Sequence, residues 1–141
     1  MKYYCAYQER CHSEVREKLL SYGVDKLVSE NIITQLISED YLNEERFAKQ
    51  FAGGKFRLKG WGKYRIEQSL KAKEVSDYCI RKALEGIDNN EYEVTFFKLA
   101  EKKRSSLNGE KNIFIRKRKI KDFLLSKGYA HNMIYAYLEQ N

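Results

Sequence analysis

Residues 120–138 read IKDFLLSKGYAHNMIYAYL, from Ile120 to Leu138. Ile120 and Leu124 lie one helical turn apart, and Gly128 follows where a helix carrying that stripe would end. Tyr129 then leads into a second stripe, Ile134 and Leu138. The same pattern stands 54 residues earlier as Ile66, Leu70, Glu74 and Val75, followed by Ile80 and Leu84. It stands again 51 residues before that, as Val15, Leu19, Gly23 and Val24. In this first copy the second stripe is read at Ile32 and Leu36, with about three extra residues ahead of it. A short helical unit cannot bury its apolar face alone, and stacking copies solves that. The fold class expected is therefore all-α: three tandem three-helix repeats, helix-turn-helix-like, in an elongated, curved array. The repeats are drawn at 1–41, 42–87 and 88–141.

The intervening sequence supplies the other helices. Ser13 is a plausible N-cap for the Val15–Leu19–Leu20 stripe, which Gly23 closes. Asp25 caps a second helix with the stripe Val28, Ile32, Ile33, Leu36 and Ile37. Asn43 begins a third, with Glu44 and Glu45 in the first turn, where carboxylates suit the helix dipole. Its apolar face is read as Phe47, Ala48, Phe51 and Leu58. Gly53-Gly54 should together cost that helix about 2 kcal/mol relative to alanine, so packing must hold it or it kinks there. Gly60-Trp61-Gly62 reads as a tight turn, and Ser76 as another N-cap. Asp88-Asn89-Asn90 reads as a loop, with Asn90 and Glu93 forming a capping box. Tyr92, Phe96, Leu99 and Ala100 face inward from the next helix, and Asn108-Gly109 turns the chain into helices over 113–127 and 130–139. The chain has no proline, the residue that most strongly breaks helices.

The composition narrows the class. Apolar residues make up 43 % and charged residues 33 %, enough to form a core. No apolar run approaches the roughly 20 residues that cross a bilayer, and the first residues lack a signal-peptide apolar region, so a cytoplasmic location is expected. Cys5, Cys11 and Cys79 include no Cys-x-x-Cys pair, which argues against a disulfide framework or a zinc site. His12 and His131 have no spaced partner suggesting a metal or a triad, and the glycine pairs lack the strand–turn–helix context of a phosphate loop. The expected protein is a binder and not an enzyme, with no cofactor and no metal.

Charge supplies the candidate binding residues. Residues 1–54 carry 7 basic and 9 acidic side chains, whereas 55–141 carry 20 basic and 11 acidic. This asymmetry points to a polyanion or an acidic protein surface as partner of the later two-thirds. One cluster, Lys55, Arg57, Lys59, Lys63 and Arg65, flanks the turn that bears Trp61. The other is densest at Arg116-Lys117-Arg118-Lys119 and continues to Lys121. Basic side chains neutralise phosphates, and an aromatic among them can stack on a base or seat against a protein. Trp61 could equally be packed between helices as part of the turn.

The residues Tyr41-Leu42-Asn43-Glu44-Glu45-Arg46-Phe47-Ala48, Arg57-Leu58-Lys59-Gly60-Trp61-Gly62 and Arg65-Ile66-x-x-x-Leu70-Lys71-x-Lys73 strongly resemble the central segment of the bacterial RecX regulatory proteins. Glu9-Arg10, Glu14-Val15-Arg16-x-Lys18-Leu19 and Ser126-Lys127-Gly128-Tyr129 fit the same family. The resemblance implies three tandem three-helix repeats. It also implies a partner, the RecA recombinase and its filament on single-stranded DNA. RecX proteins lie in the groove of that filament, inhibit ATPase and strand exchange, and some bind DNA directly. A monomer is expected. The chain departs from the family pattern at Glu74, where glycine is usual and a left-handed helix cap would be lost, at Lys63, often proline, and at Gly53-Gly54. An independent DNA-binding helical module is the alternative reading, and a helical adaptor for an acidic protein is a third.

Overall fold

The computed structural model describes residues 1–141 as a succession of helices: α1 Lys2–Tyr7, α2 His12–Ser21, α3 Lys26–Ser38, α4 Glu44–Lys59, α5 Lys63–Ala72, α6 Asp77–Glu85, α7 Asn89–Ser106, α8 Ile113–Lys127 and α9 His131–Gln140. The protein is all-α and built from three-helix domains. It divides into two compact units, Met1–Gly53 with Ser69–Gly86, and Gly54–Gln68 with Ile87–Asn141. The division runs through α4 and through α5.

The repeat seen in the sequence has a backbone signature. Gly23, Glu74 and Gly128 adopt φ of 77°, 63° and 100°. After each, the next N–H reaches back to a leucine carbonyl: Val24 to Leu19 at 3.1 Å, Val75 to Leu70 at 3.1 Å, Tyr129 to Leu124 at 3.2 Å. The left-handed residue's own N–H donates to the carbonyl three residues back, at 2.9, 2.9 and 3.0 Å. Three helices, α2, α5 and α8, thus end in the same Schellman closure, which satisfies carbonyls the helix leaves open. The expectation that Glu74 deprives α5 of a left-handed cap is corrected. The cap is present, and a non-glycine residue bears its strain of about 1–2 kcal/mol.

The register continues beyond the caps. Asp25, Ser76 and Ala130 are the N-caps of α3, α6 and α9. Four residues on, Ser29, Ile80 and Ile134 are all buried. The first copy therefore carries no insertion. Ser29 fills the inward position, and a polar residue there conceals the match from apolar periodicity. Ile33 and Leu36 are buried as read, whereas Val28 and Ile37 are exposed.

Other local readings are also corrected. Cys11, not Ser13, is the N-cap of α2, and its N–H donates to Glu14 Oε1 at 3.0 Å. Ser13 Oγ instead donates to the Lys73 carbonyl at 2.7 Å. On α4 the inward face is Phe47, Ala48, Ala52 and Phe56, while Leu58 is 87 % exposed. Ala48 faces inward as expected, whereas Ala52 and Phe56 take the inward positions expected of Phe51 and Leu58. Helix α4 runs through Gly53-Gly54 to Lys59 without interruption. Residues 89 and 90 are already helical, and Asp88 is the cap, accepting from Glu91 N–H at 2.9 Å. Its short carboxylate reaches that N–H directly, so Asn90 is not needed as a cap.

Each unit has its own core. In the first, Cys5, Val15, Leu19, Ile33, Leu36 and Leu42 pack together, with Tyr4, Val24 and Tyr41 at the edge. In the second, an aromatic chain is central. Ring centroids lie 5.7 Å apart for Phe56–Tyr92, 5.2 Å for Tyr92–Tyr129 and 5.2 Å for Phe96–Tyr129. Such tilted and edge-to-face pairs add about 0.5–1.5 kcal/mol each beyond their buried area. No helix is long and apolar enough to cross a membrane.

Candidate functional site

The turn between α4 and α5 is fixed by the C-terminal end of α8. Gly62 N–H donates to the Lys127 carbonyl at 2.7 Å and Tyr64 N–H to the Gly128 carbonyl at 3.1 Å. Tyr129 Oη donates to the Gly60 carbonyl at 2.9 Å, and Lys127 Nζ to the Lys59 carbonyl at 3.1 Å. The approach needs glycine on both sides. A Cβ on Gly62 would lie 2.4 Å from the Gly128 oxygen, and one on Gly128 would lie 2.5 Å from Arg65 Cβ. Gly60 has φ 66°, a conformation glycine adopts at no steric cost. The turn is thereby a rigid mount for the side chains around it.

Those side chains sort into three settings. Lys55 and Arg65 both lie over the Trp61 ring, with Nζ 5.2 Å and the guanidinium carbon 4.2 Å from its centroid. Trp61 is half-buried, and Arg65 also donates to the Ser126 carbonyl at 3.2 Å. Trp61 is thus both a packed turn residue and a seat for two cations. Lys63 Nζ lies 5.0 Å from the Tyr92 centroid, and the Lys63 backbone N–H donates to Tyr92 Oη at 2.8 Å. Proline at this position would forfeit that bond. Burial raises the Tyr92 hydroxyl pKa, and it raises that of Tyr129 further, with Tyr92 adding to the effect. Both phenols stay neutral donors and acceptors at the turn.

Arg57 and Lys59, in the third setting, point into a groove of about 730 Å³ between the end of α4 and α7. Lys98 and Lys102 line it from the other side, with Leu58, Val94 and Leu99 between the charges. Lys98 and Lys102 lie outside the Arg116–Lys121 cluster singled out in the sequence. Val94, Lys98 and Lys102 recur every four residues along α7 and so share one face. That spacing was the available signal, and net charge by segment concealed it.

The second candidate cluster stands apart. Arg116 and Lys117 line a small cavity of about 30 Å³ with Arg104 and Tyr137, and this cavity shares no lining residue with the groove. Arg118 and Lys119 are exposed, and Lys121 is half-buried. Beside them Tyr137 Oη donates to Glu101 Oε1 at 2.6 Å, and Arg104 Nη2 donates to Glu101 Oε2 at 2.6 Å. These bonds hold the Glu101 carboxyl below its ordinary range, while burial and the Glu101 contact push the Tyr137 hydroxyl up to about 12. No group of histidine, cysteine, aspartate and glutamate side chains is placed to hold a metal ion.

Comparison with known proteins gives a consistent picture. The family model for the second three-helix domain of RecX matches residues 43–84, and that for the third matches residues 91–138. Among curated relatives, the regulatory protein RecX of Clostridium perfringens strain SM101 is 33 % identical over 124 residues, covering 87 % of this chain and 58 % of its own length. That of Lactococcus lactis strain IL1403 is 29 % identical over 97 % of this chain and 52 % of its own length. The chain thus spans a little over half the length of these two relatives. The crystal structure of RecX from Lactobacillus salivarius superposes with a TM-score of 0.85 at 26 % identity, over 97 % of this chain and 88 % of that one. A second RecX crystal structure, 21 % identical, shares the fold with a TM-score of 0.86 over 98 % of this chain and 67 % of that one.

Proposed function

Since the chain belongs to the RecX family of regulatory proteins, we propose that it binds the RecA recombinase and its filament on single-stranded DNA and inhibits RecA's ATPase and recombinase activity. It does so by binding, without chemistry of its own, as a monomer and with no cofactor. The repeats 1–41, 42–87 and 88–141 are its working segments. The turn carrying Arg57, Lys59, Trp61, Lys63 and Arg65, with Lys55 beside it, is the principal contact with the nucleoprotein surface.

One observation supports this most. The turn is held by four hydrogen bonds from or to residues 127–129, yet the side chains of Arg57 and Lys59 that it displays pair with no carboxylate of the chain. Some cations elsewhere do find partners, as in Arg16–Glu30 at 2.7 Å and Arg104–Glu101 at 2.6 Å. Rigidly mounted, unpaired cations suit a partner bearing fixed negative charge. Arg116, Lys117, Arg118, Lys119 and Lys121 form the second contact. The exposure of Arg118 and Lys119 favours a direct contact with the phosphates of the bound strand.

Assembly of RecA on single-stranded DNA, followed by fluorescence with and without the protein, tests the proposal. Net assembly should fall in proportion to added protein, and Arg57→Glu with Lys59→Glu should relieve most of the effect. Unchanged assembly at every ratio would contradict it.

A further inference from the structure

We propose that the groove between the end of α4 and α7 is a recognition site for an acidic, aliphatic protein segment, separate from any surface that follows the DNA strand. The inference rests on the proposed RecA-directed function, which it deepens by naming the chemistry of the bound segment. The groove lies wholly within the second compact unit.

Charge comes first. Arg57, Lys59, Lys98 and Lys102 all line the groove, against a single acid, Glu91. None of the four forms an ion pair within the chain. Four like charges around one groove repel each other, and a carboxylate-bearing occupant removes that repulsion.

The apolar content decides between occupants. Leu58 is 87 % exposed and Val94 52 %, and both line the groove between the cations. A leucine held almost wholly in water gains only when a partner covers it, by about 25 cal/mol per Å² of apolar surface removed from water. The exposed apolar groups are aliphatic. The aromatic in the lining, Phe56, is buried against Tyr92 and has no face left for a base. Binding of single strands relies on exposed aromatic faces as well as cations. The groove has the cations without the faces, whereas Trp61 lies outside its lining. Aliphatic anchors between carboxylates, as on an acidic peptide, match what is present.

The test uses the full chain and a short fluorescein-labelled peptide of aspartates and leucines, read by anisotropy at low salt. Two further probes are the same peptide with serine in place of leucine, and a labelled thymidine oligonucleotide. The aspartate–leucine peptide should bind, and the serine version should bind at least about tenfold more weakly. Lys98→Glu with Lys102→Glu should weaken peptide binding at least about tenfold. Leu58→Ser, at a site too exposed to affect folding, should weaken it by a smaller factor while leaving oligonucleotide binding unchanged. Absence of peptide binding would overturn the proposal. So would a Lys98→Glu/Lys102→Glu protein that loses oligonucleotide and peptide equally while Leu58→Ser alters neither, since the groove would then be a nucleic-acid site. The assay contains no RecA, so its outcome stands apart from the RecA reading, whose failure would appear as unaltered filament assembly with peptide binding intact.

Discussion

Two glycines and one glutamate carry the sharpest residue-level consequences. Gly62 and Gly128 meet backbone to backbone, and a methyl on either would overlap main-chain or Cβ atoms that cannot move independently. Gly62→Ala and Gly128→Ala should each lower stability by about 3 kcal/mol in urea titrations, the second through its positive φ as well. Glu74→Gly should do the opposite. It relieves a left-handed conformation that glycine holds at the two equivalent positions, and stability should rise by about 1 kcal/mol. Tyr137 makes stability depend on alkaline pH. Its hydroxyl is raised from the ordinary 10.0 to about 12, chiefly by burial, so the folded state favours the protonated phenol. The stabilisation is complete below pH 10.0 and is lost as pH rises through about 12. Phenolate absorbance of wild type and Tyr137→Phe should differ by one late-titrating group. In the variant, the Glu101 titration followed by NMR should move up toward the ordinary carboxylate range, because the Tyr137 hydroxyl that donates to it is gone.

At the scale of helices, Gly53-Gly54 shows how far local cost is tolerated. Helix α4 continues through both, and a Cβ on Gly54 would meet nothing within 4 Å. Gly54→Ala should therefore stabilise by about 1 kcal/mol, seen as a higher thermal midpoint. Helix α8 presents another conflict. Its first turn has no acid, and Arg116 to Lys119 sit in its N-terminal half, where cations oppose the dipole. Asn112 compensates by accepting from Phe114 and Ile115 N–H at 2.9 and 3.3 Å. The helices and their repeat were legible because leucine stripes and chain reversals recur together at fixed offsets. What was not legible depends on small or polar residues in inward positions. Ser29 occupies a core site, and Ala48 and Ala52 turn α4 so that Phe56 is buried and Leu58 is not. Caps were equally hard to assign where several oxygen-bearing residues adjoin, as at Cys11–Ser13 and Asp88–Asn90.

For the molecule as a whole, composition indicated where charge gathers but not how it is divided. The first basic cluster separates into cations stacked on Trp61, one over Tyr92, and two in the α7 groove. Lys98 and Lys102 join only because α7 packs there, a tertiary fact no linear count contains. The proposed regulatory role rests on the family, and the proposed RecA contact on rigidly mounted, unpaired cations. The proposed activity of the protein is inhibition of RecA. It is tested most directly by RecA's single-strand-dependent ATP hydrolysis at physiological salt with increasing amounts of the purified protein. A dose-dependent fall in hydrolysis is expected, largely reversed by Arg57→Glu with Lys59→Glu. Hydrolysis that stays constant at every ratio of protein to RecA would contradict it.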